Sequence, residues 1–336
     1  MTSTPRNRPA KRATILDVAA AAGVSRQTVT RAMNEMPGIR QATRERVQEL
    51  ARELGYTPSR FAKGLVQGAH TSVGLAIPGL TNPYFPAFAS SVVEMATQRA
   101  WNVVMDDFGH GSGSALDAVA RLAPQVDAVI GYLGPDAEEA QAMLGRRPVV
   151  VLDEPAGLTA GGISFDYPYA ARLALDRLLA VGSGRIAYMD SVTEEGSLTA
   201  RGAAVAGVAS DLGIDLTVFR SEDSAHASRE AVESLLSRHA GLDGLLVFND
   251  LMAAGALKAL AGSGRGVPDD CAVIGMDGIP LGELVTPELT TLSLNLRDVG
   301  RTAVDLLDGL LSGAVVAGSA EADLRLRHEL VIRQSA

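Results

Sequence analysis

The stretch VSRQTVTRAMNE, residues 24–35, brings Arg26, Gln27 and Arg31 together on one short segment. Forked guanidinium donors and side-chain amides suit base edges in the major groove of DNA. Read as a helix at ~100° per residue, the segment puts Arg26, Thr30, Asn34, Gln27 and Arg31 on one arc and Val29, Ala32 and Met33 on the opposite one. One face can read, and the other can dock. A second set of chemically useful residues is spread along the chain: Asn82 follows VGLAIP, Asp153 ends PVVVLD, Asn249 and Asp250 end GLLVFND, and Asp277 ends CAVIGMD. Arg201 lies near the start of the helical stretch after RIAYMDS. Carboxylates, an amide and a guanidinium facing one cleft offer paired acceptors and donors to a polyhydroxylated or heterocyclic small molecule. Singly, each has a structural explanation: Asp250 as the cap of a helix from Leu251, Asp153 and Asp277 in turns, Arg201 paired with a surface acid. Their shared place at strand ends is what argues for a site.

Two kinds of element must position these sets. Upstream of the polar arc, TILDVAAAAG opens with Thr14 and Asp17 in capping-box spacing, Gly23 stops that helix, and Ser25 can cap the next. Downstream, TRERVQELARELGY sets Val47, Leu50, Ala51 and Leu54 on one stripe, with Gly55 as the stop. Three short helices with a tight turn between the first two predict a helix-turn-helix domain over 13–57 whose second helix faces outward. After residue 70 the runs VGLAIP, WNVVMDD, VDAVIGYL, PVVVLDE, RIAYMDS, GLLVFND and CAVIGMD are spaced by helix-length stretches, which predicts buried parallel strands in βαβ units. Ligands of such sheets sit beyond the strands' carboxyl ends.

Charge divides the chain in the same place. Residues 1–70 hold 12 Lys and Arg against 5 Asp and Glu, a balance of +7, whereas the whole chain is −9, so the rest carries −16. A basic head on an acidic body suits a polyanion-binding module carried by a separate domain. Arg6, Arg8, Lys11 and Arg12 form a basic tail over 1–12. The 336 residues exceed the size at which one core stops growing. A lone Cys271 excludes an intrachain disulfide and fits a reducing compartment. The polar, basic start does not read as a signal peptide and no apolar run reaches the ~20 residues of a membrane span, so a cytoplasmic protein is expected.

The segments ATILDVAAAAGVSRQTVTRAMN, TRERVQELARELGYTPSRFAKGL, VGLAIPGLTNPYF, VVVLDE, VFNDLMAAGALKAL, VPDDCAVIGMDGIPLGELVTPELTTL and HELVIRQS together resemble the lactose-repressor (LacI-type) family of bacterial transcription regulators. The resemblance implies an α/β body of the periplasmic-binding-protein type I architecture, 71–336, behind the helix-turn-helix headpiece. Its two Rossmann-like subdomains are expected over about 71–165 with 297–323, and about 166–296 with 324–336. It implies double-stranded operator DNA as partner, a small-molecule effector and no cofactor or metal. The DNA-facing set is then Thr14, Ser25, Arg26, Gln27, Thr30, Arg31 and Asn34. Residues 58–70 would form a hinge helix, folding over the operator and inserting Leu65 into the minor groove; Gly64 weakens that helix by about 1 kcal/mol relative to Ala. For the effector, Asp153, Arg201, Asn249 and Asp277 are the implied contacts, with Asn82 beside them and Phe85, Phe165 and Ser197 as lining. Leu294, Gly278 and Arg229 depart from common family residues, so the ligand cannot be borrowed from a relative. With no leucine heptad tail after Arg333, a homodimer is expected.

Few aromatics are expected near the polar anchors, which favours a neutral sugar or polyol over a nucleobase; Phe85 and Phe165 are the residues that speak for a base. A secreted solute-binding protein would leave the basic head unexplained. A carbohydrate-active enzyme could pair Asp153 with Asp277, yet the sequence has no phosphate loop, metal-ligand spacing or nucleophile elbow. GHGSGS, from residue 109, lacks dinucleotide-binding spacing and reads as a loop. No enzymatic activity is expected.

Overall fold

The computed structural model describes residues 15–33, 36–54, 71–109, 113–193 and 196–336. Thr14, Asn34, Leu65, the basic tail and the expected hinge at 58–70 lie outside the described residues. The chain divides between residues 70 and 71 into two units.

The first unit contains α1 (Ile15–Ala22), α2 (Arg26–Met33) and α3 (Gln41–Glu53). Gly23 takes φ +67°, the left-handed conformation that ends a helix without a Cβ clash. The Val24 N–H then reaches the Ala19 carbonyl at 3.0 Å. Ser25 Oγ accepts the Thr28 N–H at 3.1 Å and caps α2. Val18, Ala19, Ala22, Val29, Ala32, Val47 and Ala51 form the core. The stripe on α3 ends sooner than the sequence suggests: Leu54 is 41% exposed, beyond the last helical turn. Gln48 Nε2 donates to the Ala32 carbonyl at 3.2 Å, tying α3 to α2.

The second unit has two six-stranded sheets. The first lobe runs β1 (Ser72–Ile77), α4 (Tyr84–Gln98), β2 (Asn102–Asp107), α5 (Ala115–Leu122), β3 (Ala128–Gly131), α6 (Ala137–Leu144), β4 (Val149–Leu152) and β5 (Gly161–Phe165). The second runs α7 (Tyr167–Ala180), β6 (Ile186–Ser191), α8 (Ala200–Asp211), β7 (Thr217–Ser221), α9 (Ala225–Arg238), β8 (Gly244–Val247), α10 (Asp250–Gly262), β9 (Ala272–Asp277), α11 (Leu281–Leu284) and β10 (Thr290–Ser293). The chain then returns through α12 (Leu296–Ser312), which packs on α4, and β11 (Asp323–Leu326), before ending the second sheet with β12 (Glu329–Val331). Strand orders are β11-β5-β4-β3-β1-β2 and β12-β10-β9-β8-β6-β7. All pairings are parallel except that of β12 with β10. β3, β4 and β8 are buried along their whole length, because helices cover both faces.

The lobes are joined at three places: 165–166, 294–295 and 327–328. The last lies a few residues beyond the expected 323/324 boundary, because Asp323–Leu326 pairs in register with Gly162–Phe165 of the first sheet. Asp166 laces two of the joins: it accepts from Arg325 Nη2 at 2.9 Å and Arg327 Nε at 3.0 Å, and its N–H donates to the Leu326 carbonyl. Gly162 lets the loop after β4 lie close on β5, since a Cβ there would meet the Ala156 nitrogen at 2.3 Å.

Candidate functional site

On the headpiece, Val29 and Ala32 are buried while Arg26 and Gln27 are exposed and Thr30 and Arg31 half-buried, as the two-arc reading expects. Two members of the set are occupied locally. Ser25 is the α2 cap, and Thr30 Oγ1 donates to the Arg26 carbonyl at 3.1 Å. Arg26 and Gln27 carry the long, exposed polar side chains of this face.

In the body, a cleft of about 300 Å³ opens at the carboxyl ends of the strands of both lobes. Asn82, Phe85, Asp153, Arg201, Asn249 and Asp277 all line it. Asp153 closes β4, and Asp277 is the last residue of β9. Both have positive φ, +67° and +130°, a backbone conformation costly for residues other than glycine and often stored at binding sites. Arg201 rises from the first turn of α8, with its guanidinium 4.6 Å from the Phe248 ring centroid and 5.5 Å from that of Tyr167.

These groups form a continuous chain. Tyr167 Oη donates to Asp153 Oδ1 at 2.6 Å, Arg201 Nε donates to Tyr167 Oη at 3.2 Å, and Arg201 Nη1 donates to Asp277 Oδ1 at 3.2 Å and to the Phe248 carbonyl at 2.8 Å. A first-lobe carboxylate is thereby connected to a second-lobe one. Burial pushes the carboxyls of Asp153 and Asp277 up, against the opposing pull of Arg201. Burial also disfavours charge on Arg201, but Tyr167, Asp277 and Asp153 outweigh it and hold the guanidinium above its ordinary range. Desolvation raises Tyr84, Tyr132 and Tyr167, which keeps their hydroxyls protonated and able to donate. The Tyr84 and Tyr132 oxygens lie 2.7 Å apart.

Asn249 has two roles. Its Oδ1 accepts the Met252 N–H at 2.8 Å as the α10 cap, and its Nδ2 donates to Asp223 Oδ1 at 2.6 Å. The capping role considered for Asp250 therefore belongs to its neighbour. Asp250 is buried and accepts from Thr291 Oγ1 at 2.6 Å and the Ile279 N–H at 3.0 Å, holding the loop after β9.

Phe165 and Ser197 do not line the cleft. Phe165 is buried one layer below, against Tyr167 and His328. Ser197 is exposed, and its carbonyl accepts from Thr193 Oγ1. Of the departing positions, Leu294 is in the core and Arg229 pairs with Glu233 on the surface. Sequence reasoning missed Tyr84, Tyr132, Tyr167, Thr199, Asp223 and Phe248. Tyr132 and Phe248 directly follow β3 and β8, so the strand-end rule already used for the acids pointed to them. The expectation of few aromatics is also overturned: five aromatic rings border the cleft.

Residues 14–59 match the model described as bacterial regulatory proteins, lacI family, and residues 175–336 match the periplasmic binding protein-like domain. Catabolite control protein A of Priestia megaterium is 31% identical over 96% of this chain and 98% of its own. The chain belongs to the LacI family. A ribose operon repressor of Halalkalibacterium halodurans is likewise 31% identical, over 88% of this chain and 89% of its own. Among solved structures, a LacI family regulator from Arthrobacter sp. FB24 in complex with lactose is 60% identical, covering 80% of this chain and 100% of its own at a TM-score of 0.78. The lac repressor dimer bound to operator and an anti-inducer is 29% identical over 97% of this chain and 99% of its own, with a TM-score of 0.73. This LacI-family chain is a transcriptional regulator rather than an enzyme, with a DNA-binding headpiece and an effector-binding body. No helix of the described residues is long and apolar enough to cross a membrane.

Proposed function

We propose that this regulator binds a pseudo-palindromic operator as a homodimer, represses from it, and is released when a neutral sugar or polyol occupies the cleft. The observation that carries the effector class is the polar chain Asp153–Tyr167–Arg201–Asp277, in which acceptors and donors alternate as the vicinal hydroxyls of a sugar require. The lactose complex of the 60%-identical relative supports the same class. A cleft of about 300 Å³ suits a monosaccharide or small oligosaccharide. Arg26, Gln27 and Arg31 are the proposed base readers.

The aromatic lining favours a second reading, a nucleobase. Stacking a base needs free ring faces, however. Tyr84, Phe85 and Tyr132 engage one another edge-on, and Tyr167 and Phe248 flank the Arg201 guanidinium. Operator release and thermal shift across a sugar and nucleobase panel test the choice. Release by a sugar is expected; a nucleobase that tightens operator binding, with every sugar inert, overturns it.

A further inference from the structure

We infer that the cleft selects by charge: it takes neutral and amine-bearing polyhydroxylated molecules and rejects their phosphorylated and carboxylated counterparts, with Glu154 and Asp223 setting the choice. The inference rests on the polyol reading above for its ligand class. Its own basis is a mismatch among the charged groups lining the cleft. Asp153, Glu154, Asp223 and Asp277 face Arg201, the one cation among the described residues there. Arg201 is partly engaged, with Nη1 on Asp277 and the Phe248 carbonyl and Nε on Tyr167, which leaves Nη2 to donate to a ligand. Asp277 matches its charge in an ion pair whose side chains are 13% and 3% exposed.

Three carboxylates therefore remain without an ion-pair partner among the described residues: Asp153, Glu154 and Asp223. Asp153 and Asp223 each accept one hydrogen bond from a neutral donor, Tyr167 and Asn249. Glu154 follows β4 in the first lobe and Asp223 follows β7 in the second, and both are exposed at the mouth. Partial burial and the neighbouring Asp153 push the Glu154 carboxyl up, so like charges already oppose one another before any ligand arrives. A phosphate or carboxylate entering here meets further like charge, and the single guanidinium it could approach already has its charge matched by Asp277. At about 4 Å, each such encounter weakens binding on the order of fivefold even in water-like surroundings. A neutral hydroxyl meets acceptors, and an ammonium meets a partner.

The test is titration calorimetry on the full chain with galactose, lactose, galactosamine, galactose 6-phosphate and galacturonic acid, together with adenine, adenosine and adenosine monophosphate. We expect each anion to bind at least about tenfold more weakly than its neutral parent, and the gap to narrow in 1 M salt, where screening shortens to about 3 Å. Glu154→Lys and Asp223→Asn should each narrow it further, with neutral ligands affected less. An anion that binds wild type as tightly as its parent overturns the charge rule and leaves the polyol reading standing. Adenine or adenosine binding, with all sugars inert and the monophosphate weaker, sinks the polyol reading and leaves the charge rule intact. Binding of no panel member at millimolar concentration overturns both.

Discussion

Tyr167 is the residue that links Asp153 to Arg201, since its hydroxyl donates to the one and accepts from the other. Tyr167→Phe keeps the ring that packs against Phe165 and His328 but removes both bonds. Each net hydrogen bond contributes about 0.5–1.5 kcal/mol, so loss of both should lower effector affinity roughly 5–150-fold while operator binding without effector is unchanged. Operator release curves read this directly, and an unshifted curve would remove Tyr167 from the site. Asp277→Ala is harsher. It strands a guanidinium buried between two rings, which should cost about 3–5 kcal/mol in denaturant unfolding, and Asp277→Asn should cost less. Equal losses from the two variants would mean that charge pairing is not what Asp277 supplies.

At the scale of elements, the turn between α1 and α2 sets the direction of α2, the proposed reading helix. Ser25→Ala removes the α2 cap and should destabilise the headpiece by about 0.5–2 kcal/mol. Gly23→Ala forces a Cβ into a left-handed residue, at about 1–2 kcal/mol. Operator affinity should fall in both, with the same base preferences. Arg26→Ala and Gln27→Ala are expected to do the opposite: preference at individual base positions relaxes by about 1–3 kcal/mol. Selection from a randomised operator library separates the two classes, and uniform weakening by Arg26→Ala would end its role as a reader. Much of this architecture was legible because helix caps, stop glycines and apolar runs are local signals. Strands β1, β2, β3, β4, β6, β8 and β9 coincide with the seven predicted runs. β5, β7, β10, β11 and β12 escaped: β5 opens with two glycines, β7 alternates along a half-exposed edge, and the last three are only three or four residues long. The acids were legible as polar residues at strand ends, and Arg201 as a cation near the start of the helix after β6. Tyr132 could have been found by the strand-end rule, but Tyr84 and Tyr167 lie at helix starts, where an aromatic in sequence looks the same whether it fills a core or walls a cleft. Phe165 misled for the same reason.

For the molecule as a whole, the third join between the lobes makes the body sensitive to acid. His328 lies there, 2% exposed and packed on the Tyr167 and Phe165 rings, and its Nδ1 has no hydrogen-bond partner among the described residues. Burial, reinforced by Arg201, pushes its pKa down to about 3. The unfolded chain takes up that proton near pH 6.5. The stability gained by burying a neutral ring is therefore complete above about pH 6.5 and is lost as pH falls towards 3, at up to about 1.4 kcal/mol per pH unit. Denaturation of wild type and His328→Gln between pH 4 and 8 should give a shallower slope for the variant. Parallel slopes would mean that His328 does not carry the acid sensitivity.

The return of α12 and β11 to the first lobe also governs what happens during synthesis. The headpiece core uses residues between Val18 and Ala51, so it can close as soon as that stretch leaves the ribosome. β5 has to wait for Asp323–Leu326, which emerge when the chain is all but finished. A message ending between Phe165 and Asp323 would yield a finished DNA reader attached to a sheet whose β5 edge stays open. Such a fragment holds the address but not the sensor. Late nonsense alleles should therefore be deaf to the effector, and those that escape proteolysis should occupy the operator in competition with the intact protein.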